Sequence, residues 1–182
     1  LLQIGFLHNM EEINWAIDNY VVGGDDNLRI IGLKIALDGG VGPRTALFYN
    51  GYLDEPKNYG VQMIESETLK EMVLEGHRNG FQIAIHAIGD KAIDIALEAY
   101  HFAQVTSPRP DPRHQLVHCY FPTENALEKI LELGVVVNTQ TPFLYFLGDS
   151  FVEALGLERC KSCMPVRTLK QKKVHVGISH DA

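Results

Sequence analysis

The chain has 182 residues, enough for one domain with a buried core, and its 46% hydrophobic and 21% charged residues are ordinary for a soluble globular protein. A net charge of −7, with no basic run denser than Lys170 to Lys173, excludes a nucleic-acid partner, and no apolar run approaches the roughly 20 residues that a membrane span needs. Three cysteines make no disulfide framework, so a reducing, cytoplasmic setting is expected, and Leu1-Leu2 without a Met reads as the interior of a longer protein.

Asn9 to Glu12 has the pattern of a capping box, with Ile13, Ile17 and Tyr20 following at helical spacing until Gly23-Gly24 stops them. Leu28 to Leu37 is nearly all apolar, as a fully buried parallel strand is, yet it contains Lys34, a charge that is costly there unless paired or neutralised. The irregular stretch from Asp38 to Val61 is long for a compact domain, and such loops are usually functional. Its glycines lack the dinucleotide and phosphate-loop patterns, which rules out phosphate binding, while Arg44, Tyr49 and Tyr52 are available for substrate contact or for packing.

A helix from Ser66 to Asn79 ends at Gly80. The run Phe81 to Ile85 is too short for a helix and reads as a buried strand, with His86 at its carboxyl end and Asp90 capping the helix that follows, Lys91 to Ala103. The prolines of Ser107 to Pro112 forbid regular structure. His114 to Cys119 is the next strand, Thr123 caps a helix that Gly134 stops, and Val135 to Gln140 is a strand again. A loop with a short helix around Phe151 to Leu155 follows, Pro165 opens one more helix, and Val174 to Ser179 is the last strand before Asp181. Five strands alternating with helices mean a parallel sheet, and the expected fold class is α/β: most of a (β/α)8 barrel in one unit, 1–182.

Chemistry-bearing residues cluster at the carboxyl ends of these strands, where α/β barrels build their sites: Lys34, His86, His118 and Asp181. Imidazole and carboxylate suit zinc or a similar divalent ion. Four stretches, Gly32 to Ala46, Phe81 to Asp94, Arg113 to Cys119 and Gly177 to Ala182, give the chain a resemblance to the metal-dependent amidohydrolase superfamily, and within it to amidohydrolase family 3, which contains the N-substituted formamide deformylases. The resemblance implies barrel strands four to eight, with strands one to three and the flanking β-sandwich missing. It implies that Lys34 is the strand-four lysine that many relatives carry carboxylated between two metals. His86, His118 and Asp181 would also bind metal, with Asp181 as general base in hydrolysis of a small amide-type substrate at a non-peptide C–N bond.

Three departures bear on this. None of the eight histidines stand two apart, so the family's His-x-His pair does not occur. Val117 stands where the family often has Glu, and His180 where Ser usually precedes the Asp. Lys34 is therefore expected as a free amine and the segment alone as inactive, with its open edges favouring a homo-oligomer. The alternative is a non-catalytic barrel segment that binds a small ligand or partner. Two rival motifs fail: His114 and His118 lie on a strand without the Glu of HExxH, and Cys160 and Cys163 have no second CxxC.

Overall fold

In a computed structural model the protein is described over residues 1–181, and six strands lie parallel in one twisted sheet. The elements run β1 (Leu2–Leu7), α1 (Met10–Asn19), β2 (Gly23–Gly24), β3 (Arg29–Ala36), α2 (Ser66–Arg78), β4 (Gln82–Ala87), α3 (Asp90–Thr106), β5 (Gln115–His118), α4 (Glu124–Glu132), β6 (Val136–Thr139), α5 (Pro142–Leu155), α6 (Leu157–Cys160), α7 (Val166–Gln171) and β7 (Val176–Ile178). The sheet order is β1-β3-β4-β5-β6-β7, and β2 adds a short antiparallel piece to β3. Sequential parallel strands joined by helices on one face are the signature of a barrel wall.

That arrangement follows from the period-two burial of the strands. Leu33, Ile35, Ile83, Ile85, Leu116 and Val137 face the helices and join Ile13, Leu69, Met72, Ile93, Leu97 and Ile130 in the main core. The intervening positions, Lys34, His86 and Asn138 among them, are left to the opposite face. A second, smaller cluster covers the carboxyl end of the sheet: Phe48, Tyr52, Ile88, Tyr120, Phe121 and Phe151. Thus the loop from Asp38 to Val61 is a packed lid over the strand ends. Its own backbone holds it, through Thr45 and Ala46 N–H to Gly40 O, Phe48 N–H to Tyr59 O and Met63 N–H to Leu37 O.

Four features differ from the sequence reading. Leu2–Leu7 is a sixth parallel strand, paired with β3 from Leu2↔Ile30 to Leu7↔Ile35, so part of the barrel wall expected to be missing is present. Its local pattern is weak because an edge strand with Gly5 and an exposed Phe6 takes its conformation from its neighbour. The helix α5 runs the whole way from Pro142, with Pro at its start, since its exposed Tyr145 and Phe146 mask any amphipathic period. Asp90 lies in the first turn of α3 with Gly89 at the cap, and Glu65 caps α2 through Glu67 N–H and Thr68 N–H. The capping box at Asn9 is present, with Asn9 Oδ1 accepting from Glu12 N–H at 2.9 Å.

Candidate metal site

Parallel register decides which strand residues meet. Lys34 pairs with Ala84 and Ala36 with His86, so Lys34 and His86 stand two residues apart on one face of the sheet. His118 pairs with Ala87, and strict alternation would send its ring to the helix side with Ala87 and Leu116. It does not go there. His118 and Cys119 have left-handed φ of 75° and 51°, and the imidazole lies edge-on to His86 with ring centroids 4.2 Å apart. A non-glycine residue in that region costs about 1–3 kcal/mol and persists where the surroundings over-determine it. Here Cys119 N–H donates to Ala87 O and the Cys119 side chain fills the core.

Asp181 follows β7 and brings Oδ2 to 3.9 Å from His118 Nε2. Lys34 lies on the same face but reaches toward β1, its ammonium 5.2 Å from the centre of the Phe6 ring. The four residues named from the sequence therefore share one face. Arg44 and Tyr49 go elsewhere: Arg44 is bound to Asp54 through Nη2 at 2.6 Å, and the Tyr49 hydroxyl donates to Asp94 of α3 at 3.0 Å. A substrate carboxylate reaching Arg44 would have to displace Asp54.

The hydrogen bonds fix which nitrogen of each imidazole is free. His86 Nε2 lies 3.2 Å from Gly39 O, a carbonyl that can only accept, so Nε2 carries the proton and Nδ1 keeps its lone pair. The Tyr120 hydroxyl donates to Gln140 Oε1 at 3.3 Å, so its oxygen accepts from His118 Nδ1 at 3.3 Å. The free nitrogen of His118 is then Nε2, on the side of Asp181. Burial lowers the pKa of both histidines, helped by the Lys34 charge, and pushes His118 down to about 3. Both rings are neutral at pH 7, the form that binds metal.

Sequence reasoning did not single out Asp38, Tyr120, Gln140 or Asn138. Asp38 is buried, and its carboxylate accepts from Leu47, Ile88 and Gly89 N–H at 2.9–3.0 Å. Burial pushes its pKa up to about 7 against the pull of those three donors. Gln140 also donates to Ser179 Oγ, tying the end of β6 to the residue after β7, and Asn138 Oδ1 is buried without a partner among the described residues. Nothing local marks these residues, since their partners lie up to 51 positions away.

Two neutral imidazoles with free lone pairs beside a carboxylate are a donor set that suits a divalent ion. As the side chains stand, no three His, Cys, Asp or Glu groups among the described residues are close enough together to hold one. His114 and His118 end at opposite ends of β5 and share no site, and Cys160 and Cys163 are free thiols at the end of α6 and in the turn after it.

A family model described as "Amidohydrolase family" matches residues 3–182. The chain belongs to the amidohydrolase family. Among solved structures, an uncharacterized metal-dependent hydrolase from Pyrococcus furiosus superposes with a TM-score of 0.81 at 29% identity, over 94% of this chain and 35% of that one. A putative amidohydrolase of Bacillus subtilis, YtcJ, is 30% identical over 82% of this chain and 28% of its own length. Protein LONG AFTER FAR-RED 3 of Arabidopsis thaliana is 34% identical over 70% and 22% respectively. This amidohydrolase chain thus spans about a third or less of the relatives it matches. Its sheet is that of part of an amidohydrolase-family barrel, and among the described residues no helix is long and apolar enough to cross a membrane.

Proposed function

We propose that the chain is part of the barrel of a metal-dependent hydrolase, its strands four to eight together with the preceding strand β1, and that the enzyme cleaves non-peptide carbon–nitrogen bonds, with small N-substituted formamides or related amides as substrates. The observation that carries it is the approach of His118 Nε2 to Asp181 Oδ2, with the neutral His86 ring in contact, at the carboxyl edge of an amidohydrolase sheet. His86 through Nδ1, His118 through Nε2 and Asp181 would hold a divalent ion, most simply zinc, with Lys34 beside them. Such an ion would polarise the scissile carbonyl and bring the pKa of the attacking water towards ~7. Asp181, about half exposed beside His118, would be the general base, positioned to accept a proton from the attacking water and to pass it to the departing amine. Lys34 acts as a free ammonium, a role supported by its position over the Phe6 ring. The free thiols support a cytoplasmic setting.

The segment alone, without a His-x-His pair, is proposed to give no turnover. The test assays it beside a longer parent against N-substituted formamides and N-acyl amines with zinc. The parent should turn over, and Asp181→Asn should lower its kcat by about 100- to 10,000-fold. A parent with Asp181→Asn that keeps full kcat would end this reading. The spread of the His86, His118 and Asp181 side chains, with no closed three-donor set among the described residues, supports a second reading, in which the strand ends bind a small ligand without metal chemistry. A zinc titration separates them: binding lost on His118→Ala favours the hydrolase, and no binding favours the ligand site.

A further inference from the structure

We infer that Asp38 is a positioning residue for His86: it clamps the Gly39 carbonyl to the carboxyl end of β4 and so fixes which imidazole nitrogen faces the site. The inference rests on the metal-hydrolase reading for its use, but not for its geometry. Asp38 Oδ1 accepts from Ile88 N–H at 3.0 Å and stands 3.6 Å from His86 Nε2. Asp38 Oδ2 accepts from Leu47 N–H at 2.9 Å and Gly89 N–H at 3.0 Å. One side chain therefore joins the end of β3, the middle of the covering loop and the two residues after β4. The residue it is covalently bound to, Gly39, supplies the oxygen that accepts from His86 Nε2 at 3.2 Å. Among the described residues Gly39 O is the one acceptor within hydrogen-bond distance of that nitrogen, so the loop's position sets the ring's tautomer.

The site requires that control because its two histidines are held differently. His118 is oriented by side chains, through Tyr120 and Gln140, whereas His86 depends on a backbone oxygen in a glycine-rich turn. A carbonyl on a mobile turn would let the imidazole exchange tautomers. Outer partners of metal-binding histidines typically contribute about 10- to 100-fold to affinity. Replacing Asp38 by Asn keeps the shape but points an NH2 at amide donors, which opens the clamp.

The experiment uses the full chain labelled with 15N-histidine. Long-range 15N–1H NMR reads each ring's tautomer, and His86→Gln assigns the signal. In the metal-free wild type His86 should be the Nε2–H form and His118 the Nδ1–H form. Asp38→Asn should mix the His86 tautomers while leaving His118 unchanged, and should weaken zinc binding by about 10- to 100-fold in calorimetry. Asn58→Ala, which removes loop hydrogen bonds to Arg44 O and from Gly60 N–H without touching Asp38, separates clamping from general loosening and should change neither. An Nδ1–H form of His86 in the wild type overturns the inference. So does an Asn58→Ala effect equal to that of Asp38→Asn. If Asp38→Asn does not fold, the wild-type tautomer decides. Wild-type protein that binds no zinc but has the expected tautomers would refute the hydrolase reading and leave the clamp standing.

Discussion

His114 and His77 show how far one residue's role can depend on proton order. Ile83 N–H donates to His114 Nδ1 at 2.9 Å, so His114 Nε2 carries the proton and donates to His77 Nδ1 at 2.9 Å. His77 Nε2 then donates to Ser107 O at 2.7 Å. The chain of bonds runs one way, both rings are buried, and Tyr100 stacks on His114, so no water can replace a lost partner. Burial, with the nearby His77 and Arg109, lowers the His114 pKa from 6.5 to about 3, and burial lowers that of His77 as well. The folded state thus resists a proton that the unfolded chain accepts. Its stability is fully present above about pH 6.5 and falls as pH drops from there towards 3. On the scale of about 1.4 kcal/mol per pH unit, His114 accounts for a loss on the order of 5 kcal/mol across that window. Urea unfolding at pH 7.5, 5.5 and 4 should show the decline, and His114→Gln should flatten it. An unchanged slope in the variant would mean that the carboxylates alone set the acid limit. That His86, His118 and Asp181 come together on one face was to be expected from the sequence, because each stands on or just past a strand end. The relay was not, since His114, Ile83 and Ser107 meet only when β4, β5 and the segment after α3 are in register.

At the scale of elements, the joint between the covering loop and α3 is the tightest. Gly89 has ordinary backbone angles, φ −74° and ψ 154°, so its small size and not its flexibility is what the position needs. A Cβ there would come within 1.9 Å of Leu47 O, with Leu47 C and N also inside 3 Å. Gly89→Ala should therefore push the loop off the strand ends and cost about 1–3 kcal/mol, as overpacking does. Equilibrium unfolding would measure it, and a variant within 0.5 kcal/mol of wild type, on the order of a neutral surface change, would show that the loop yields freely. A milder effect is expected at the start of α4, where Thr123 Oγ1 accepts from Ala126 N–H at 3.0 Å. Thr123→Ala should cost about 1 kcal/mol by thermal melting, with no change in zinc affinity. The helices with caps and the apolar strands β3 to β6 could be read from the sequence because local pattern and burial agree. For β1 and α5 they disagree: Leu2 and Phe6 are exposed on an edge, and Tyr145 and Phe146 are exposed on a helix that carries Phe151 and Leu155 inward.

Across the whole molecule, the same openness that hides β1 from a sequence reading sets the behaviour in solution. The outer edges of β1 and β7 have no strand beyond them among the described residues, and parallel edges present unpaired N–H and C=O groups to any matching strand. Exposed apolar side chains stand on those edges, Leu2 on β1 and Ile178 on β7, and a separate exposed pair stands on α5, Tyr145 at 87% and Phe146 at 68% exposure. Neither edge carries a lysine in its strand, the usual guard against pairing. Only the net charge of −7 opposes association, and that repulsion fades as salt shortens its range to about 8 Å near physiological ionic strength. The segment on its own should therefore form a concentration-dependent homo-oligomer, stronger at high salt. Light scattering over an approximately hundredfold dilution reads this, since mass action moves the equilibrium with protein concentration. Leu2→Lys combined with Ile178→Lys places a charge on each edge and should leave a monomer with unchanged circular dichroism. If the double variant associates as the wild type does, the edges are not the contact and the exposed face of α5 is. A wild-type monomer at every concentration and salt would show that the two edges protect themselves.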